Sequence, residues 1–252
     1  MDGLEARLET TREPEAETFP RGFRLTDREL EVLVFVLEMK FASVEALYRR
    51  FFQSKDSSSN RYAYERLNLL RKYGYLTPIR IHTEAGTYYV ATRLARETLQ
   101  GSFVNRCFVK PLLGIDVRCF EHDKRVLTCR VEREITGNAQ DWTSERVLKH
   151  DWTKATDNLA REFMPDAIFT NRRGERISFE LELSPKTTGR YLRKVQQFAH
   201  IVSDPNALFR RVLFVTCSRW VQHTLTGLCR PYGETFFVVP YEEIIGGANG
   251  RA

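Results

Sequence analysis

The sequence predicts a mixed α/β chain built from two units, and three observations carry that reading. Apolar residues recur at helical spacing through residues 26–72, then switch to a period of two around Gly86. A second stretch, beginning near Met164, alternates strand-like runs with helical segments. The 252 residues are 42% hydrophobic and 29% charged, enough for one large core or two modest ones. This composition excludes wholesale disorder, a collagen repeat and a disulfide-dense scaffold.

Residues 1–20 hold six acidic and two basic groups and read as a flexible lead. The first folded unit, residues 21–100, opens with a capping box in which Thr26 caps a helix and Glu29 reaches back. Leu25 serves as the staple, and Leu30, Leu33, Val34 and Leu37 form a broad apolar stripe. Phe41 and Ala42 end this helix, and Ser43 caps the next, with Val44, Leu47, Tyr48 and Phe51 at helical spacing. After the polar loop QSKDSSSN comes a third helix. Its apolar side carries Tyr62, Leu67 and Leu70, its polar side Arg61, Glu65, Arg66, Arg71 and Lys72, and Gly74 ends it.

Leu76–Ile81 and Thr87–Val90 then predict a β-hairpin bent at Gly86, and a helix near Thr92–Leu99 closes the unit. Three helices leading into a hairpin make a winged helix-turn-helix layout. Such a helix fits the DNA major groove while the hairpin reaches an adjacent groove or the backbone. Asn60, Arg61, Tyr64 and Arg71 offer donors or a stacking surface; Lys55 and Lys72 suit phosphates, and Ser58 suits a cap or a phosphate. Residues 41–80 hold eight basic and three acidic groups, a local excess of +5 in a chain of net charge +6. The competing reading is a protein-docking module with solvated charges.

Residues 101–121 read as a linker or lead-in strand, broken at Pro111 and Gly114. The second unit, residues 122–252, begins with a helix after His122-Asp123, then a short strand near Trp142–Leu148. MPDAIFT and RISFELELS, joined by the turn NRRGE, predict an antiparallel pair. Alternation puts Ile177, Phe179, Leu181 and Leu183 on one face and Ser178, Glu180, Glu182 and Ser184 on the other. Asp166, Glu180 and Glu182 can therefore gather at one polar edge. Three carboxylates repel unless a metal, a basic group or a proton intervenes, and Mg²⁺ or Mn²⁺ suits carboxylate oxygens. The bland alternative is a hydrated strand face. A helix with Tyr191, Leu192, Val195, Phe198 and Val202 on its apolar side follows, with Arg190, Lys194 and Gln197 opposite. VLFVT, Arg219–Leu228 and TFFVV then predict strand, helix and strand.

Five cysteines, odd in number and without a C-x-x-C pair, fit reduced thiols rather than a zinc site. The first residues lack a basic start followed by an apolar run, and no segment approaches 18 apolar residues. These features point to a cytoplasmic protein with no membrane span.

The chain resembles the replication-relaxation family of plasmid and mobile-element proteins, from about Leu25 onward. Its second unit resembles the PD-(D/E)xK nuclease-like fold. Pro165-Asp166 matches that fold's first motif, Glu180 its strand carboxylate, and Trp142 and Glu145 the family's W-x-x-E pattern. Leu192 to Phe198 carries the later lysine and apolar pattern. The resemblance implies an early helix glutamate, for which Glu132, Glu134 and Glu145 all qualify. It also implies a lysine two positions after Glu180, where this chain has Glu182. Lys194, or else Lys186, is the relocated replacement. If the site is active, Asp166, Glu180 and Lys194 are catalytic, and Asp166, Glu180 and Glu182 hold Mg²⁺ or Mn²⁺.

Two functions follow. The first is a sequence-specific binder of double-stranded DNA from a mobile element, acting in replication, transfer or transcription control. Its nuclease-like unit is then noncatalytic and needs no cofactor. The second is a metal-dependent endonuclease targeted by its winged helix. A homodimer and mobile-element replication or transfer proteins are the further partners expected.

Overall fold

The computed structural model describes residues 24–53, 61–103, 108–152 and 164–246. The lead, Lys55, Ser58 and Asn60 therefore lie outside the described residues. The architecture is mixed α/β, with one three-stranded and one five-stranded sheet.

Helix α1 (Asp27–Glu38) starts at the expected capping box, Thr26 Oγ1 accepting from the Glu29 amide and Glu29 from the Thr26 amide. Strand β1 (Ala42–Ser43) follows, and Ser43 caps α2 (Val44–Leu47), which runs into a π-helical turn at Tyr48–Phe52. Helix α3 (Arg61–Lys72) ends at Gly74, whose φ of +74° suits a residue without Cβ. Strands β2 (Leu76–Arg80) and β3 (Thr87–Ala91) pair antiparallel, and β1 adds to β3 in the order β1-β3-β2. Thr92 then caps α4 (Arg93–Ser102).

The second unit starts with α5 (Phe120–Ile135), so His122 and Asp123 lie in its first turn rather than ahead of it. The described part of residues 101–121 holds no lead-in strand: α4 runs to Ser102, and α5 begins at Phe120. Strand β4 is Gln140–Ser144, and the expected strand stops there because α6 (Glu145–Trp152) takes over. The Glu145 amide donates to the Asp166 carbonyl at 2.8 Å, tying the start of α6 to the residue before Ala167. Strands β5 (Ala167–Thr170) and β6 (Arg176–Glu182) form the expected antiparallel pair, with Ala167 opposite Phe179. Helix α7 (Thr188–Ser203) crosses to β7 (Arg211–Thr216), and α8 (Arg219–Cys229) crosses to β8 (Phe236–Pro240) before α9 (Tyr241–Gly246). Strands β6, β7 and β8 are parallel, so the sheet order is β4-β5-β6-β7-β8 with one antiparallel half.

Two helical layers cover the five-stranded sheet. Phe169, Phe179, Leu181 and Val215 face α5, whereas Ile168, Val212 and Phe214 face α7 and α8. The α5-side cluster runs without a break into the first unit, taking in Leu33, Val36, Phe41 and Leu67. Phe41 stacks on Phe120 with ring centroids 5.3 Å apart. Charge pairs reinforce this join: Lys40 with Asp123 at 2.7 Å, Lys124 with Glu84 at 2.8 Å and Arg49 with Glu132.

Two side-chain assignments differ from the periodicity. Tyr62 is 53% exposed, and Leu192 is 40% exposed. Ala63, Leu67 and Leu70 already fill the buried stripe of α3, and Tyr191, Val195 and Phe198 that of α7, so each of these two residues is left at the boundary. No described helix is long and apolar enough to cross a membrane.

Candidate functional site

Helix α3 is held by its buried stripe and by Arg66, whose Nε donates to Glu29 of α1 at 2.8 Å. Its opposite face carries Arg61, Tyr64, Glu65, Asn68, Arg71 and Lys72, all exposed. Arg61 pairs with Glu65 at 2.8 Å, one turn along the helix. Arg71 and Lys72 make no ion pair among the described residues. The hairpin beside α3 exposes Arg80 and His82. Arg61, Tyr64, Arg71 and Lys72 therefore share one solvent face.

The second cluster lies at the C-terminal end of β6. Ser178, Glu180 and Glu182 share one face, as alternation predicts, and the polar edge they form is buried, which rules out the hydrated strand face. Glu180 is 3% exposed and Glu182 0%, because α7 lies over that face. Lys194 of α7 reaches between them, its Nζ bonding Glu180 Oε2 and, at 2.8 Å, Glu182 Oε1. Lys186 takes the other Glu182 oxygen at 2.6 Å. Asp166 Oδ2 accepts from the Leu181 amide at 2.8 Å and lies 3.3 Å from His122 Nε2. The structure thus brings Asp166, Glu180, Glu182 and Lys194 together, and adds His122, which the sequence reading passed over. No local pattern marks it, since α5 and β5 meet only in the folded chain.

Three acids are matched here by three cations, His122, Lys186 and Lys194. Burial works against a charged His122, but its bonds to Asp123 and Asp166 outweigh this and push its pKa up to about 10. Burial also opposes the charge of Asp166, yet His122, the Leu181 amide and Lys194 hold that carboxyl below its ordinary range. Glu180 goes the other way: burial, opposed by Lys194 but reinforced by Asp166 and Glu182, pushes it up to about 8. Lys194 is buried too, and the two glutamates raise its pKa.

Of the three candidates for an early helix glutamate, Glu132 and Glu134 point elsewhere, whereas Glu145 lines a small pocket with His122, Asp123 and Asp166. Glu132 pairs with Arg49, with Nη2 to Oε2 at 2.9 Å, and Glu134 with Arg50 and Arg130. Glu145 pairs with Lys149 and lies 3.8 Å from Lys40. Glu132 and Glu134 thus serve the join to the first unit and their own helix.

The donor set does not fit Mg²⁺ or Mn²⁺ as arranged. A hard divalent ion needs several converging oxygens. Both Glu182 oxygens, one Glu180 oxygen and Asp166 Oδ2 are already engaged. Glu180 Oε1 is the one buried carboxylate oxygen of the described residues without a partner.

The shift at Glu180 sets a pH dependence. A carboxyl raised from 4.5 to about 8 favours folding fully below the lower value, and that benefit is lost as pH rises through the higher one. His122 acts in the same sense further up, its contribution fading as pH rises through about 10. Glu180→Gln mimics the protonated group, so its melting temperature should gain on the parent's as pH rises from 5 to 8. Each kcal/mol is worth about 2–4 °C in a chain of this size. Parallel melting curves across that range would mean that Glu180 is charged throughout.

No protein-family model matches the chain, and no curated protein sequence matches it significantly.

Proposed function

We propose that this is a double-stranded-DNA-binding protein of the replication-relaxation kind, acting in replication, transfer or transcription control of a mobile element. Its first unit is a winged helix, and its second a PD-(D/E)xK-like unit that does not cut. The outward face of α3 carries the proposal, since Arg71 and Lys72 stand exposed beside an aromatic ring, Tyr64, and an amide, Asn68. Exposed guanidinium and ammonium groups on one helix suit phosphates and base edges. The order helix, strand, helix, helix, hairpin supports the winged-helix reading. The order helix, strand, helix, antiparallel strand pair, crossover helix, parallel strand supports the nuclease-like one.

The noncatalytic form is favoured by Lys194 and Lys186, which occupy three of the four oxygens of the two glutamates. The endonuclease alternative draws on one observation, the unpartnered Glu180 Oε1. One incubation separates them. Linear, supercoiled and single-stranded DNA are mixed with stoichiometric protein in Mg²⁺, Mn²⁺ or chelator, reading both mobility shift and chain length. The expected result is a shift of duplex DNA with every strand intact. Cleavage in either metal that disappears in Asp166→Ala would replace this reading with the endonuclease.

A further inference from the structure

A second basic surface lies on the opposite side of the five-stranded sheet from α5. Between Leu183 and Gly233 the chain carries eight lysines and arginines against a single acid, Asp204. Lys186 and Lys194 turn inward to the glutamates, Arg211 pairs with Glu175 at 3.1 Å, and Arg210 bonds the Asp204 and Pro205 carbonyls. The remaining four, Arg190, Arg193, Arg219 and Arg230, are exposed and make no ion pair among the described residues.

These four lie on α7, on α8 and at the end of α8, helices that pack side by side over Val212 and Phe214. The helices adjoin at their first turns, where the Tyr191 and Trp220 rings are 6.4 Å apart. Trp220 is 48% exposed, and Leu192 nearby in sequence to Tyr191 is 40% exposed. Its indole touches Tyr191 on one side and, next in sequence to the unpaired Arg219, leaves about half of its surface open to a further apolar partner. In a duplex the bases are stacked on one another and cannot supply one. An unpaired base can, because its flat face stacks on an aromatic ring while arginines track the backbone.

We propose that the outer face of α7 and α8 binds single-stranded nucleic acid, with Trp220 stacking on an unpaired base and Arg190, Arg193, Arg219 and Arg230 meeting phosphates. This surface is separate from α3 and does not depend on the duplex-binding reading.

The test uses the full chain and a short labelled oligothymidylate, which forms no duplex, followed by anisotropy over a salt series. Trp220→Ala should weaken binding about 5- to 150-fold, the equivalent of one stacked base, while Trp220→Phe keeps most of it. Arg190→Ala, Arg193→Ala and Arg219→Ala together should reduce the salt slope by about 2, at about 0.7 per phosphate contact. Arg71→Ala with Lys72→Ala should leave oligothymidylate binding unchanged, so a failure of α3 is distinguishable from a failure here. Unchanged affinity in Trp220→Ala, an unchanged slope in the triple variant, or equal binding of polyglutamate would each overturn the proposal.

Discussion

Replacing Lys194 by methionine should cost about 3 kcal/mol of stability at a pH high enough to keep Glu180 charged. Lys194 is the cation shared by two carboxylates that are 3% and 0% exposed, and methionine keeps the stem but removes the charge. Breaking a buried pair leaves an uncompensated charge, which is the expensive outcome, whereas removing every charge is cheap. Lys194→Met combined with Glu180→Gln and Glu182→Gln should therefore recover most of the loss. At lower pH Glu180 escapes by taking up a proton, the more readily because Lys194 no longer holds its pKa down, and Glu182 keeps Lys186, so the cost shrinks. Urea unfolding at several pH values measures this, with an unchanged m-value showing that only stability moved. A loss under about 1 kcal/mol at high pH would mean that water reaches the glutamates.

Much of the fold is legible in local residue choices. Thr26 with Glu29, Ser43 and Thr92 mark helix starts, and Gly74 and Gly86 mark left-handed or positive-φ bends where the structure has them. Runs such as VLFVT are apolar on both faces and become the central parallel strand β7. Helix α6 was not legible, because Glu145–Trp152 follows a strand without a proline or a glycine, and Ser144 before it donates to the Glu38 carbonyl.

The candidate site was legible in its three acids and Lys194, but not in His122 or in its environment. Alternation places Glu180 and Glu182 on one face, but a period of two cannot tell a wet face from one covered by a crossover helix. The decision rests on Lys194, twelve residues beyond Glu182 and brought back by α7. Pairs between the units are harder still: Arg49 and Glu132 are 83 residues apart, and neither carries a local sign of the other. Long-range charge pairing is fixed by packing, and here it draws Glu132 and Glu134 away from the role that the family resemblance implied.

The proposed grip of α3 on duplex DNA is tested by the salt dependence of binding when the helix loses Arg71 and Lys72. These two are preferred to Arg61, which is already joined to Glu65 on the same helix. Charge-assisted hydrogen bonds are worth about 1.5–3 kcal/mol each, so Arg71→Ala with Lys72→Ala should weaken duplex binding by about 100-fold or more. Each phosphate contact releases counterions and contributes about 0.9 to the slope of log affinity against log salt. The double variant should therefore lower that slope by about 2, measured by anisotropy on duplex fragments from the native locus. Both side chains are exposed, so folding should be untouched and the melting temperature unchanged. A weaker isotherm with the flatter salt slope is the predicted result, and isotherms that superimpose on the parent's at every salt concentration would contradict the account.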